Sequence, residues 1–531
     1  MTAGPEIADP LTAGAAQAAR RGVEAVLAAQ TPEGYWAAPP RPDPERAAEW
    51  LLACFCLPGD PPDPERVAAA RRAVTSFPAR ALDSAVRAYA ALRVSGSGAS
   101  APPLPQWRDR ILARGGIDAA GAGLRRTLRL LGLYPTGRVP EIPPEIVDAP
   151  RALYALAAPE RAQLVALALA GAEGRTSGVT LDELRGRTPP AGFPGAGLRL
   201  RSGLARLLGR REQTLQRCAE WARERSRDLP GAVVARILAS EALGEDTGAA
   251  ALSFLRADRN RDTAELLRAL AEAGAGPNPR GIAWLAAREI RTPGEWKMQR
   301  PDLPPSGWAG ASDNPLYPDV PGTAAVLRAL GGGSEAAVRA ARWLEGMQHS
   351  SGGWAVFDAA GDTPRADVTG AVLEALCAAG TDPSAGAVRR GVRFLEEAQE
   401  PEGNWCGAGG DILRATCFVL RGLAAAGESD REAHILRAGE WLRSIQNADG
   451  GWGEGVSASG GYAPAESGPD TTAWALAGLL ASGDTTSGSV QGGVRYLVAR
   501  QRASGSWSEA GSEPADAFPL LALGAFLKAR A

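Results

Sequence analysis

Asp313 and Asp319 are the residues whose type and spacing first suggest chemistry. Two carboxylates that meet in space can work as a general acid and base. The same two can instead cap the following helix and bind loop amides, and both uses stand open at this point. Other reactive types are sparse. Histidine occurs only as His349 and His434, in different parts of the chain, which nearly removes His-based metal sites and His-centred triads. Cys54 and Cys56 flank Phe55 and read as buried thiols, while Cys406 and Cys417 lack a second pair at zinc-ligand spacing. Asp358 and Asp362 read as solvated loop residues. No Asp-rich segment suited to magnesium and diphosphate is present. The expectation is therefore no metal and no cofactor.

The elements that must hold such residues belong to a chain of 531 residues with a formal charge of -2. That length suggests two domains or three. The charge balance argues against a nucleic-acid partner. No apolar run reaches the roughly 18 residues of a spanning helix. The first residues lack a basic segment followed by an apolar one, so no secretory signal is expected and the cytoplasm is the default.

Tryptophan carries the organisation. Gln30/Trp36, Gln348/Trp354, Gln399/Trp405, Gln446/Trp452 and Gln501/Trp507 share one layout: a helical stretch, a Gln, a polar turn with Gly, then Trp six residues on. The later units recur about every 50 residues, which indicates a repeat architecture. Each unit reads as a pair of helices, one ending at the Gln and a small-residue one after the Trp. Helix pairs alternating between an inner and an outer layer can close into a ring. The Gln amide is expected to bind carbonyls at the helix end that have no helical partner, with the indole stacked on it.

These segments resemble the QW repeats of the squalene–hopene cyclase and oxidosqualene cyclase family. Gly294–Ala309 and Tyr317–Leu330 are similar to the family's active-site region, and Asp367-Val-Thr-Gly, Asp470-Thr-Thr-Ala-Trp474 and Phe518–Gly524 follow in family order. The resemblance is specific over about 280–531 and weak over about 170–280. It implies an all-α fold of two α/α barrels. Residues 1–36 would supply an N-terminal helix to the second barrel, 37–257 an inserted barrel, and 258–531 the C-terminal barrel with the repeats. Family members are often dimers seated in one membrane leaflet. The resemblance therefore implies a homodimer, monotopic membrane contact and a place in the cytoplasm or peripheral on the inner membrane face.

Cyclisation in this family begins when a strong carboxylic acid in a DXDD motif protonates an alkene. Aromatic side chains then stabilise carbocations in a dry cavity. Here the motif reads Asp319-Val320-Pro321-Gly322, so the donor position is Pro321 and the last Asp is Gly322. A His that often precedes the Gln of one repeat is Ile445. The two Phe expected after Trp308-Ala309 are Gly310 and Ala311, a lining Trp is Arg261, and the aromatic stretch expected after Glu145 is Ala149–Leu156. Trp308, Tyr317, Phe357 and Trp474 remain as lining or scaffold.

Three functions follow. The first is a diverged terpene cyclase, an isomerase with a relocated acid at Asp319 or Asp313. The second is a non-catalytic homologue that binds an isoprenoid, another apolar small molecule or a true cyclase. The third is an enzyme for a smaller, more polar substrate, with Arg261 contacting an anion.

Overall fold

The computed structural model describes residues 9–36, 41–42, 44–56, 62–76, 81–135, 144–148, 153–154, 161, 164–165, 168, 178–186, 213–218, 221, 255–256, 259–310, 318–357, 363–407, 411–457, 461–508 and 516–531. Asp313, Tyr317, Asp358, Asp362 and most of Ala149–Leu156 lie outside the described residues. The chain divides into two compact units. One holds Met1–Pro39, Ala257–Gly455 and Tyr462–Ala531; the other holds Pro40–Arg256 and Val456–Gly461.

Helix α1 (Pro10–Ala28) belongs to the first unit. The second unit contributes α2 (Pro44–Cys56), α3 (Pro64–Ser76), α4 (Leu82–Val94), α5 (Leu104–Ala113) and α6 (Ala122–Leu130). They bury a core built around Trp50, Leu51, Tyr89 and Trp107. Short strands Arg41–Pro42 and Leu255–Arg256 pair antiparallel where the chain enters and leaves that unit.

The first unit continues with α7 (Arg259–Glu272), α8 (Pro279–Ala286), α9 (Val320–Leu330), α10 (Glu335–Gly346), α11 (Ala366–Ala378) and α12 (Gly386–Glu397). It ends with α13 (Ile412–Ala425), α14 (Ala433–Ser444), α15 (Pro469–Ala481), α16 (Gly488–Arg500) and α17 (Ala517–Arg530). Helices α7, α9, α11, α13, α15 and α17 each pack on the next, and α17 packs back on α7. The inner ring is therefore closed. Helices α8, α10, α12, α14 and α16 lie outside it, and α1 completes the outer layer by packing on α16 and α17. Small residues set the inner spacing. A Cβ on Gly370 would lie 2.4 Å from the Phe418 carbonyl oxygen, and one on Gly422 would lie 2.4 Å from that of Gly370. Only glycine allows α11 and α13 that approach. No helix among the described residues is long and apolar enough to cross a membrane.

The repeat residues staple the layers, in a different way from the one expected. The indole N–H, not the Gln amide, takes the helix-end carbonyl. It donates from Trp36 to Val26, Trp354 to Leu344, Trp405 to Leu395, Trp452 to Leu442 and Trp507 to Leu497, at 2.6–2.8 Å. The Gln amide instead faces the neighbouring helix. Gln399 donates to Gly403 within its own turn and to His434 in the first turn of α14, each at 2.8 Å. Gln348, Gln446 and Gln501 make the same pair of bonds toward α12, α16 and α1. The rigid indole, buried beneath its own helix, reaches the last-turn carbonyls; the turn carries the amide outward. The backbone N–H of Trp36, Trp354, Trp405 and Trp452 donates to Thr263, Thr369, Thr416 and Thr472 in the first turns of inner helices. Trp308 makes both bonds without a Gln, its indole to Leu285 and its backbone to Thr323. It is a sixth unit, one that lacks the Gln by which the other five are marked in the sequence.

Trp405→Phe keeps most of the buried ring but leaves the Leu395 carbonyl without its donor. The expected loss is about 1–3 kcal/mol, seen as a lower thermal midpoint with an unchanged helical spectrum. Gly403→Ala is expected to be at least as costly. Its φ is 97°, and a Cβ there would lie 2.7 Å from the carbonyl oxygen of Arg437.

Candidate functional site

The Thr bonds place the first turns of the inner helices at the Trp-loop end of the ring, so their N-termini share one mouth. Asp319 stands there as the N-cap of α9. One carboxylate oxygen accepts the Gly322 N–H at 2.6 Å and the other accepts the Gly310 N–H at 2.7 Å. This is the capping and loop-binding arrangement, and it ties the Trp308 loop to the helix start. Pro321 follows in the first turn, where its missing N–H costs no helical bond. Gly322 packs against the backbone of Gly310 so closely that a Cβ would lie 2.4 Å from its nitrogen. Neither position holds an ionisable side chain.

The remaining candidate residues scatter around this mouth. Trp308 is fully buried with both N–H groups committed, so it stands as scaffold. Phe357 is half-buried on the loop after Trp354, one residue beyond the carbonyl that accepts the Val320 N–H. Arg261 is half-buried in the first turn of α7, and its charge acts on Glu265 one turn along. Ile445 is the C-cap of α14, beside Gln446. Trp474 on α15 meets Phe518 of α17 edge to face at 5.7 Å, and its buried indole N–H bonds to no described residue. Asp367 caps this rim electrostatically. Burial alone would raise its carboxyl, but Arg365 and Arg414 hold it low. Among the described residues, no cluster of three His, Cys, Asp or Glu could hold a metal ion.

Deeper in the ring lies a feature the sequence reading did not single out. Glu374 of α11 is bound by Arg268 of α7, by Arg328 of α9 at 3.3 Å and by Arg421 of α13 at 2.8 Å. Glu265 of α7 binds Arg328 and lies 3.5 Å from Arg268. One of these ion pairs and two ring contacts join helices that are not neighbours in the ring. Arg268 reaches Glu374 past α9. Arg328 lies over the ring of Phe418 past α11, 5.2 Å from its centroid. Phe418 meets Phe518 past α15 at 6.3 Å. Such contacts run through the lumen. The belt therefore places three guanidiniums and two carboxylates in the interior on the α7–α13 side. Four of the five side chains are buried, and that of Arg421 is 14% exposed. Burial alone would raise the Glu374 carboxyl, but Arg268, Arg421 and Arg328 outweigh it and hold it down to about 2. Glu265 is likewise lowered, with Arg328 and Arg268 overcoming burial. The usable sequence signal was charge on inner-helix positions that an apolar interior would leave uncharged.

The chain matches family models described as the squalene–hopene cyclase C-terminal domain, over residues 257–523, and N-terminal domain, over residues 19–191. It is similar to a squalene–hopene cyclase of Bradyrhizobium diazoefficiens, 30% identical and covering 81% of this chain and 78% of that one. It is also similar to the squalene–hopene cyclase of Alicyclobacillus acidocaldarius, 30% identical and covering 92% of this chain and 91% of that one. Among solved structures it is similar to ent-copalyl diphosphate synthase from Streptomyces platensis, at 20% identity and a TM-score of 0.48, over 97% of this chain and 99% of that one.

Proposed function

We propose, because this chain belongs to the squalene–hopene cyclase family with its all-α, two-barrel fold, that it serves terpenoid metabolism by binding or acting on an isoprenoid or another apolar ligand, without the usual proton-initiated cyclisation of squalene. The observation that carries this is the mouth of the ring. The one carboxylate left from the motif is committed to two backbone N–H groups, and the next positions are Pro321 and Gly322. An ordinary carboxylic acid of pKa about 4 is too weak to protonate an alkene, and Asp319 has no acidic neighbour in the motif to strengthen it. The lumen supports the same reading. The guanidiniums of Arg328 and Arg414 lie over the ring of Phe418, 5.2 and 5.8 Å from its centroid. A π face already engaged by cations offers little to a carbocation.

A second reading, a smaller and more polar substrate, draws support from the excess of guanidinium over carboxylate in the belt. A homodimer in monotopic contact with the inner membrane face is part of the proposal, and flotation with liposomes tests that contact. The function itself is tested by incubating purified protein with squalene and oxidosqualene in detergent and analysing the products by mass spectrometry. No cyclic product is expected. Hopene from the natural protein overturns the proposal, and Asp319→Asn would then show whether the relocated acid is Asp319.

A further inference from the structure

The five-residue belt has a second consequence, for the length of what the ring can hold. Arg268, Arg328, Glu374 and Arg421 are the ninth or tenth residues of α7, α9, α11 and α13. With their helix starts at one end, they lie at one level, ~13 Å below the mouth at 1.5 Å rise per residue. Arg268 reaches Glu374 past α9 and Arg328 reaches Phe418 past α11, so side chains bridge this level on the α7–α13 side of the ring. Charged groups paired this way are costly to separate in a buried setting, so a ligand chain does not push through them. Above the belt sit Phe418, Phe518 and Trp474, an aromatic shelf with one buried indole N–H that has no partner among the described residues.

We infer that the Arg268–Glu374–Arg328–Arg421 belt, with Glu265, is a floor that limits the ligand to a short isoprenoid chain, and that an oxygen on that chain bonds the indole N–H of Trp474. The inference rests on the proposal that the ligand is an isoprenoid and adds its size class and a polar contact. The floor residues set specificity and touch no reacting atom. They are ion-paired with one another, so they act by exclusion.

The test is retention of farnesol, geranylgeraniol and hexaprenol, three prenyl alcohols with one kind of head group and increasing length. Each is offered in detergent micelles to the full-length protein and read by mass spectrometry after gel filtration. Farnesol and geranylgeraniol are expected to be retained at least tenfold more than hexaprenol. A variant with Arg268→Leu, Arg328→Leu, Arg421→Leu, Glu265→Leu and Glu374→Leu is expected to lose that discrimination and to retain hexaprenol. If the fivefold variant does not fold, the charge-neutral pair Glu265→Leu and Arg328→Leu opens the α7–α9 side alone and is expected to narrow the gap. Trp474→Phe is expected to weaken geranylgeraniol retention severalfold with the length profile intact. Equal retention of all three alcohols by the natural protein overturns the floor and leaves the isoprenoid proposal standing. Retention of no prenyl alcohol by natural protein or variant overturns that proposal itself.

Discussion

Glu374→Gln is expected to lower the stability of the ring by about 3–5 kcal/mol, the cost of removing one partner from a buried ionic cluster. Glu374 is the only group that contacts all three guanidiniums of the belt. Without its charge, Glu265 alone would face Arg268 and Arg328, and Arg421 would lose the carboxylate it is ion-paired with. A Gln of the same shape cannot repair this, because its amide N–H₂ would point a donor at donors. The measurement is the thermal midpoint, expected to fall by about 10 °C. The charge-free fivefold variant is the informative contrast. Removing both signs together leaves no uncompensated charge, so its midpoint should lie closer to the natural one than that of Glu374→Gln. A Glu374→Gln protein that melts within a degree or two of the natural one would mean that the belt is loosely held and wet.

The same carboxyl predicts how the ring responds to acid. Its pKa falls from an ordinary 4.5 to about 2 on folding, because three guanidiniums outweigh burial. The folded state then binds fewer protons than the unfolded one. Its contribution, about 3 kcal/mol, is complete above pH 4.5 and is lost as the pH falls through 4.5 toward 2. Glu265 and Asp367 are lowered in the same direction and sharpen that loss. Glu374→Gln should flatten this part of the stability profile, which a purely steric role for the side chain would leave unchanged.

The ring was legible in the sequence because its period is written in one large, conspicuous side chain. In five units Trp stands six residues after Gln, so those five could be read directly. What each residue does was less legible. Spacing shows that Gln and Trp act together, but only the path of the turn shows that the indole takes the helix end and the amide takes the next helix. Trp308 escaped because its unit lacks the Gln, although its two bonds repeat those of the others. The loss of the motif acid was readable from Pro321 and Gly322 alone. The belt was not, because Arg268, Arg328, Glu374 and Arg421 come from four separate helices. Taken singly, each reads as a charge on an amphipathic helix. Only closure of the ring turns those positions inward, and closure is a property of the whole set of helices.

Restoring the family's acids, by Pro321→Asp together with Gly322→Asp, is expected to yield no hopene and to destabilise the protein by about 3 kcal/mol. The obstacle is backbone. A Cβ at position 322 would lie 2.4 Å from the nitrogen of Gly310, 2.8 Å from its Cα and 2.8 Å from an Asp319 carboxylate oxygen. The two contacts with Gly310 are to backbone and cannot be relieved by turning a side chain. The Trp308 loop would have to move, which breaks the 2.7 Å bond from Gly310 to Asp319 and strains the cap of α9. Pro321→Asp alone should be tolerated. Position 321 is half-buried in the first turn, where the helix dipole favours a carboxylate by about 0.3–1 kcal/mol. That preference stabilises the ionised form, the wrong one for a proton donor. Even a working acid would face the belt: one excess positive charge ~10 Å from a carbocation costs about 1.7 kcal/mol at an effective dielectric near 20, a slowing of about seventeenfold. Product analysis with squalene and a melting curve on each variant read both halves of the prediction. Hopene from the double variant with an unchanged melting point would show that the Gly310 segment yields freely and that the missing acid was the sole barrier to cyclisation. Hopene appearing only when the double variant also carries the charge-free belt would assign the remaining barrier to the five charged side chains in the lumen.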